Sequence, residues 1–329
     1  VETPEEVLTD HAKRLEFQTQ ALQRLVKAGG FKNKRAICSI PATQMFCKHL
    51  QLAKSGEDVA SQVAATIPAQ LGCHPEALTY RHIVAGDVTV GGVQKQEVIC
   101  LAVPRELIRR LMEALKSCRL EPVGIQPACL ATVRSFDPVT RRDGDQQMAS
   151  LYLDIGVGST NCMIAHGREL VFMKTLHVGG RALDEYAAGQ MRCSVQWARS
   201  HRISTEQLVP APTPASDAEA PAPEAKGTPA LNLAEPLESL TEEILMCLRY
   251  HEAVFPGRRP ARVVFVGGES RHRGLCQHIA RRLRIPAQVA DPLARLSRTG
   301  NEPAKDVDLG VTQPGWAVAV GLCLSPADL

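Results

Sequence analysis

Leu151-Tyr-Leu-Asp154-Ile-Gly156-Val-Gly158-Ser159-Thr160-Asn-Cys-Met-Ile164 decides how the rest of the chain is read. An apolar strand delivers Asp154 to its end. Two glycines then permit a tight turn whose backbone N–H groups can point at an anion. Ser159 and Thr160 add hydroxyl donors, and the chain returns at once as a second strand. This is a β-hairpin phosphate loop. It is neither a P-loop nor a dinucleotide loop, because those lead into a helix and carry G-x-x-x-x-G-K or G-x-G-x-x-G. Asp154 cannot donate to phosphate. Its expected work is to hold Mg²⁺ through water, since that ion keeps part of its hydration shell. An ordinary hairpin with no ligand is the competing reading.

Two further glycine turns lie downstream. His177-Val-Gly179-Gly180-Arg181-Ala-Leu-Asp184 closes a strand at a glycine pair that opens a helix, and a helix N-terminus favours nearby anions. Val263-Val-Phe-Val266-Gly267-Gly268-Glu269-Ser270 ends a buried strand in glycines, against which a flat base can lie where a Cβ would collide. A strand–turn–helix connection without a ligand is the competing reading there.

Around these turns the pattern alternates strands and helices. Residues 5–28 show helical spacing, and Arg35–Ile40 reads as a buried strand. Helical spacing returns over 57–71. Residues 78–103 suggest a hairpin about Gly91-Gly92. Pro104–Cys118 is an amphipathic helix. A short strand at 122–125 and a helix near 128–135 precede a polar linker over 137–147. The second half predicts strands at 150–155, 162–165, 170–178, 262–266 and 287–289. It predicts helices at 181–191, 237–254, 273–283 and 316–324. The proline-rich stretch 210–229 has a linker's composition.

Composition excludes several classes. With 329 residues and 44% hydrophobic content, most of the chain can bury a core. A net charge of +3 and 4% aromatics argue against a nucleic-acid binder. Residues 249–298 do hold eleven Arg against three acids, which reads as a solvated basic face or a docking patch. No apolar run approaches ~18 residues, so no membrane span is expected. The acidic N-terminus is not a secretory signal, and without a Met it reads as a start inside a longer natural protein. Eleven cysteines stand singly with no C-x-x-C, as expected of reduced thiols. His49, His74 and His82 lack ligand spacing, and there is no G-x-S-x-G elbow.

In their order, the three glycine turns resemble the second half of an actin-like ATPase. With Lys34–Pro41, Leu120-Glu-Pro-Val-Gly-Ile-Gln-Pro127 and Ile285-Pro-Ala-Gln-Val-Ala-Asp291-Pro, most of the chain resembles the PilM-like proteins of type IV pilus assembly, which are related to FtsA. The resemblance implies an α/β fold of the duplicated, ribonuclease H-like kind with a small inserted α+β subdomain. A first lobe would comprise 1–42 and 121–148, with a strand-helix-strand-strand insert at 43–120. A second lobe would span 149–329, with a disordered Pro/Ala-rich insertion at about 205–232. ATP and Mg²⁺ would bind between the lobes. Gly156, Gly158, Ser159, Thr160, Gly179 and Gly180 would face phosphates, Glu243, Gly267, Gly268 and Glu269 the adenosine, and Asp154 the metal.

The family is a cytoplasmic scaffold at the inner face of the inner membrane. It binds the N-terminal tail of a PilN-like membrane protein and other alignment-complex components, touches the membrane only indirectly, and binds no nucleic acid. Two features depart from it. No Asp-x-Gly hairpin stands before Val1, so the first phosphate loop is expected to be missing, and Met246 stands where the family has a basic residue. A nucleotide-free pseudo-ATPase, or a small-molecule kinase of the same superfold, are the alternatives.

Overall fold

The helical spacing over residues 5–28 folds as two helices, α1 (Glu5–Leu8) and α2 (His11–Ala28), rather than one. Asp10 makes the break: its carboxylate accepts the N–H groups of Ala12 and Lys13 and caps α2. The computed structural model describes residues 3–137, 144, 148–209, 231–297 and 308–326, apart from positions 9, 32, 55, 57, 73, 207 and 295. The proline-rich stretch 210–229 and nearly all of the polar linker lie outside the described residues.

The chain continues through β1 (Arg35–Ile40), β2 (Phe46–Ala53), α3 (Val59–Leu71), β3 (Leu78–Val90), β4 (Val93–Pro104), α4 (Arg105–Ser117), β5 (Glu121–Pro127) and α5 (Ala128–Arg134). The second half runs β6 (Ala149–Ile155), β7 (Thr160–His166), β8 (Glu169–Leu176), α6 (Gly180–Met191), α7 (Val195–Ser204), α8 (Ala234–Val254), β9 (Arg262–Val266), α9 (Arg273–Leu283), β10 (Ala287–Val289) and α10 (Ala317–Cys323). These form three sheets: parallel β1-β5, antiparallel β2-β4-β3, and a five-stranded sheet in the order β10-β9-β6-β7-β8.

Alternation along β6 assigns the two faces of the large sheet. Leu151, Leu153 and Ile155 join a core with Leu183 of α6, Ile244 of α8 and Ile279 of α9. Tyr152 joins Met163, Met173 and Val264 against Ile40, Cys129 and Val133 from the first half of the chain. The three-stranded sheet has its own core under α3, built on Val63, Ile67 and Val98. β6 and β9 run parallel with Asp154 opposite Val266, so both strands end at one level and their glycine turns emerge side by side. The ten cysteines among the described residues are free thiols, and no described helix is long and apolar enough to cross a membrane.

Candidate functional site

β6 and β7 pair out to Ile155 and Thr160, which leaves Gly156–Ser159 as the turn. Gly156 N–H donates to Ser159 O at 2.9 Å and closes it. The start of α6 presses on the same turn. Gly180 N–H donates to Gly156 O at 3.0 Å, and Arg181 N–H to Val157 O at 2.8 Å. A Cβ on Gly179 would stand 2.6 Å from Ser159 N, so only glycine permits this approach. The buried Thr160 hydroxyl donates to Val178 O at 2.8 Å.

Gly156, Thr160, Gly179 and Gly180 thus build the turn, with the N–H of Gly156 and of Gly180 and the hydroxyl of Thr160 already engaged. The N–H groups of Val157, Gly158 and Ser159 have no partner among the described residues. Three successive free N–H groups give the tip a positive character suited to an anion. A cavity of about 710 Å³ adjoins it, bordered by Val157, Arg181, Arg199 and the N-terminal residues Thr3, Pro4, Glu6 and Leu8. That volume lies within the range of small-molecule sites.

Asp154 stands behind the tip. Asn161 Nδ2 donates to its Oδ2 at 3.2 Å, and Thr175 Oγ1 donates to Asn161 Oδ1 at 3.1 Å. Gly267 adopts φ +89°, and a Cβ there would lie 2.6 Å from Asp154 Oδ1. Burial raises the Asp154 carboxyl above the usual carboxylate range, and the Asn161 bond opposes that rise. No group of three His, Cys, Asp or Glu side chains capable of holding a metal occurs among the described residues. A lone carboxylate with an amide beside it suits water-bridged Mg²⁺ whose other partners are phosphates, not a protein cage.

The other expected residues separate. Gly267 lies beside Asp154, with Gly268 next in the same turn, and Gly267 N–H donates to Pro314 O at 3.0 Å. Glu269 turns inward. Its carboxylate fills the space beside Gly180, at the start of α6, and pairs with Arg202 Nη1 at 2.9 Å. Arg202 Nε also donates to Asp184 Oδ1 at 2.6 Å, and all three side chains are buried. Burial raises the Asp184 carboxyl, and the Arg202 guanidinium opposes it. His272 ties the same turn to α7. Its Nε2–H donates to Arg202 O and Thr205 O, while Nδ1 accepts from Leu275 N–H. Glu243 lies instead near Lys174 Nζ, at 3.9 Å, on the β8 side of the sheet. β8 is three strands from β9, roughly 14 Å at ~4.8 Å per strand.

Sequence reasoning missed Asn161, Thr175, Arg202 and Asp184 as partners of the site. Asn161 was within reach, since a four-residue turn after Ile155 places it opposite Asp154. Arg202 gave no signal, because its partners come from two distant segments.

Known structures share this architecture. The chain matches a chain of the PilM–PilN type IV pilus biogenesis complex with a TM-score of 0.75 at 17% identity, over 99% of this chain and 90% of that chain. It matches the ethanolamine utilization protein EutJ from Carboxydothermus hydrogenoformans with a TM-score of 0.50 at 12% identity, over 98% of this chain and 77% of that chain. MreB5 of Spiroplasma citri bound to ADP gives the same TM-score, identity and coverage. No family model and no curated protein matches the sequence. The chain has the actin-like α/β fold of these structures.

Proposed function

We propose that the chain is a PilM-like scaffold of type IV pilus assembly that holds an Mg²⁺-nucleotide at the β6–β7 turn. It works at the cytoplasmic face of the inner membrane and binds the N-terminal tail of a PilN-like protein. The observation that carries the nucleotide site is the row of unpartnered N–H groups at Val157, Gly158 and Ser159 with Asp154 behind it. The likeness to a chain of the PilM–PilN complex supports the scaffold role, and MreB5, of similar fold, binds ADP.

The tip N–H groups would donate to phosphate oxygens, with Arg181 and Arg199 of the adjoining cavity adding positive charge. Asp154 would hold the ion through water, and Asn161 fixes the direction of its carboxylate. The ion supplies neutralisation of phosphate charge. Hydrolysis further requires a positioned water and a base beside the terminal phosphate. In this reading the nucleotide serves as a conformational ligand.

A nucleotide-free interaction module is the second reading. Glu269 favours it, because this internal carboxylate already occupies the anion-favouring start of α6. Calorimetry of Mg²⁺-ATP binding to the full natural protein separates the two. Binding that weakens about tenfold or more in Asp154→Ala, a loss of ~1.4 kcal/mol or more, supports the first. A real binder is also stabilised by ~2.7 kcal/mol at 100-fold excess over Kd. Absence of that thermal shift selects the second reading, and equal affinity in the variant sinks the site assignment.

A further inference from the structure

Two buried thiols meet where α8 crosses the large sheet. Cys162 of β7 stands opposite Lys174 of β8, so both side chains leave the same face of the sheet. Cys162 belongs to the core that α8 covers, and Lys174 Nζ lies 3.9 Å from Glu243 Oε2 of that helix. On α8, Leu240, Ile244, Cys247 and His251 recur at helical spacing as the buried stripe. Cys247 follows Glu243 by one turn. Cys162, Lys174, Glu243 and Cys247 therefore form one cluster, in which the side chains of the two cysteines are in contact. Cys47, Cys118 and Cys276 instead donate to the backbone carbonyls of Met173, Thr19 and Ser270.

The two thiols differ in acidity and in access. Contact with Cys162 holds the Cys247 thiol below the usual thiol range against its burial, and the Lys174 ammonium acts in the same direction. The same contact, with burial, raises the Cys162 thiol. The thiolate is the nucleophile of cysteine chemistry, which favours Cys247. Cys247 also borders a second cavity, of about 1010 Å³, together with Lys174, Met246 and Tyr250, and Cys162 does not. A small molecule in that cavity meets Cys247 first.

We propose that Cys247 and Cys162 are a modification site for low-molecular-weight disulfides, which closes into a disulfide bridge between α8 and β7. The Cys247 thiolate attacks one sulfur of the entering disulfide and forms a mixed disulfide. The thiolate released takes up the proton that Cys247 gave to solvent. The Cys162 sulfur then attacks Cys247 Sγ, the mixed S–S bond breaks, and the second leaving thiolate takes the Cys162 proton. Two cysteine thiols are oxidised, and one disulfide is reduced to two thiols. The bridge pins α8 to β7 at the residue after Asn161, and a reductant opens it again. Neither the scaffold role nor the nucleotide site enters this reaction.

The test incubates the full chain with oxidised glutathione in native buffer and follows each cysteine by peptide mapping and intact mass. Cys323, exposed and alone, reports ordinary thiol reactivity. In the wild type, Cys162 and Cys247 should disappear together as one bridge with no glutathione retained on either, and dithiothreitol should restore both. Cys162→Ser should instead keep one glutathione on Cys247. Cys247→Ser should leave Cys162 unmodified. Lys174→Gln, at an exposed position, should slow the wild-type bridging about threefold or more, because less of the Cys247 thiol is ionised.

The wild-type result decides the matter even where a serine variant fails to fold. Cys162 and Cys247 that both stay free while Cys323 takes glutathione overturn the proposal. Glutathione retained on Cys247 beside a free Cys162 overturns it as well, since the second attack then does not occur. A bridge from either residue to any other cysteine does the same.

Discussion

The five-stranded sheet and the two-stranded β1-β5 sheet meet water very differently. In the larger one, β6 and β7 are buried along nearly their whole length, with helices on one face and the first half of the chain on the other. In the smaller one, β1 passes from exposed Arg35 through half-buried residues, and only Ile40 is buried. Both contain parallel strands rich in Ile and Val, so strand propensity does not separate them. Coverage of both faces does. A turn can be held to ångström precision only at the end of a strand that cannot shift, and the Gly156–Ser159 tip stands at the end of the better-covered pair.

The largest expected effect lies in the covered half. Arg202→Met leaves Asp184 and Glu269 buried without their cation, and should cost about 4 kcal/mol in urea unfolding. A loss under about 1 kcal/mol would mean that both carboxyls simply take up protons. Next comes the comparison itself. Leu153→Ala in β6 should cost about 3 kcal/mol, because its site is fully enclosed. Ile37→Ala in β1 should cost about 1 kcal/mol, since part of that side chain already meets water. Equal losses would erase the distinction between the sheets.

Much of this contrast was legible in the sequence, and the reasons are local. Strand 262–266 falls where its apolar run and glycine turn put it, because its burial is nearly continuous, and helix 273–283 falls where its apolar residues recur at helical spacing, with Leu275, Cys276, Ile279 and Leu283 buried. β2 was implied only by the family pattern of the insert, since Phe46–Ala53 alternates between exposed and half-buried positions with a single buried residue, Leu50. α7 escaped because its inward face rests on Ala198 and Arg202, and an arginine does not read as core. The glycine turns showed where a site could form. They could not show that Glu269 points inward or that Glu243 lies near Lys174, since both depend on partners far away in the chain.

A smaller effect concerns what supports the two-stranded sheet. Gly321 of α10 lies against the Ala131 backbone of α5, where a Cβ would stand 2.8 Å from Ala131 Cα. Gly321→Ala should therefore part the two helices and cost about 2 kcal/mol, read as a lowered urea midpoint. An unchanged midpoint would show that the contact can relax.

The smallest effect near neutrality is that of pH on the His166–His251 pair at the end of β7, whose Nε2 atoms are 3.0 Å apart. Burial, reinforced by Arg258, lowers both to about 4. The unfolded chain, near ~6.5, takes up those protons first. This stability is complete above about pH 6.5 and is lost as pH falls toward 4. Urea midpoints between pH 4 and 7.5 should decline less steeply in His251→Phe, and parallel profiles would remove the pair as the cause.

Backbone amide NMR tests most directly whether the tip of the β6–β7 turn takes an anion. Adding Mg²⁺-ADP should shift the amides of Val157, Gly158 and Ser159, while that of Gly180, already bonded to Gly156 O, moves least. Saturating nucleotide that leaves those three amides where they were would contradict the account.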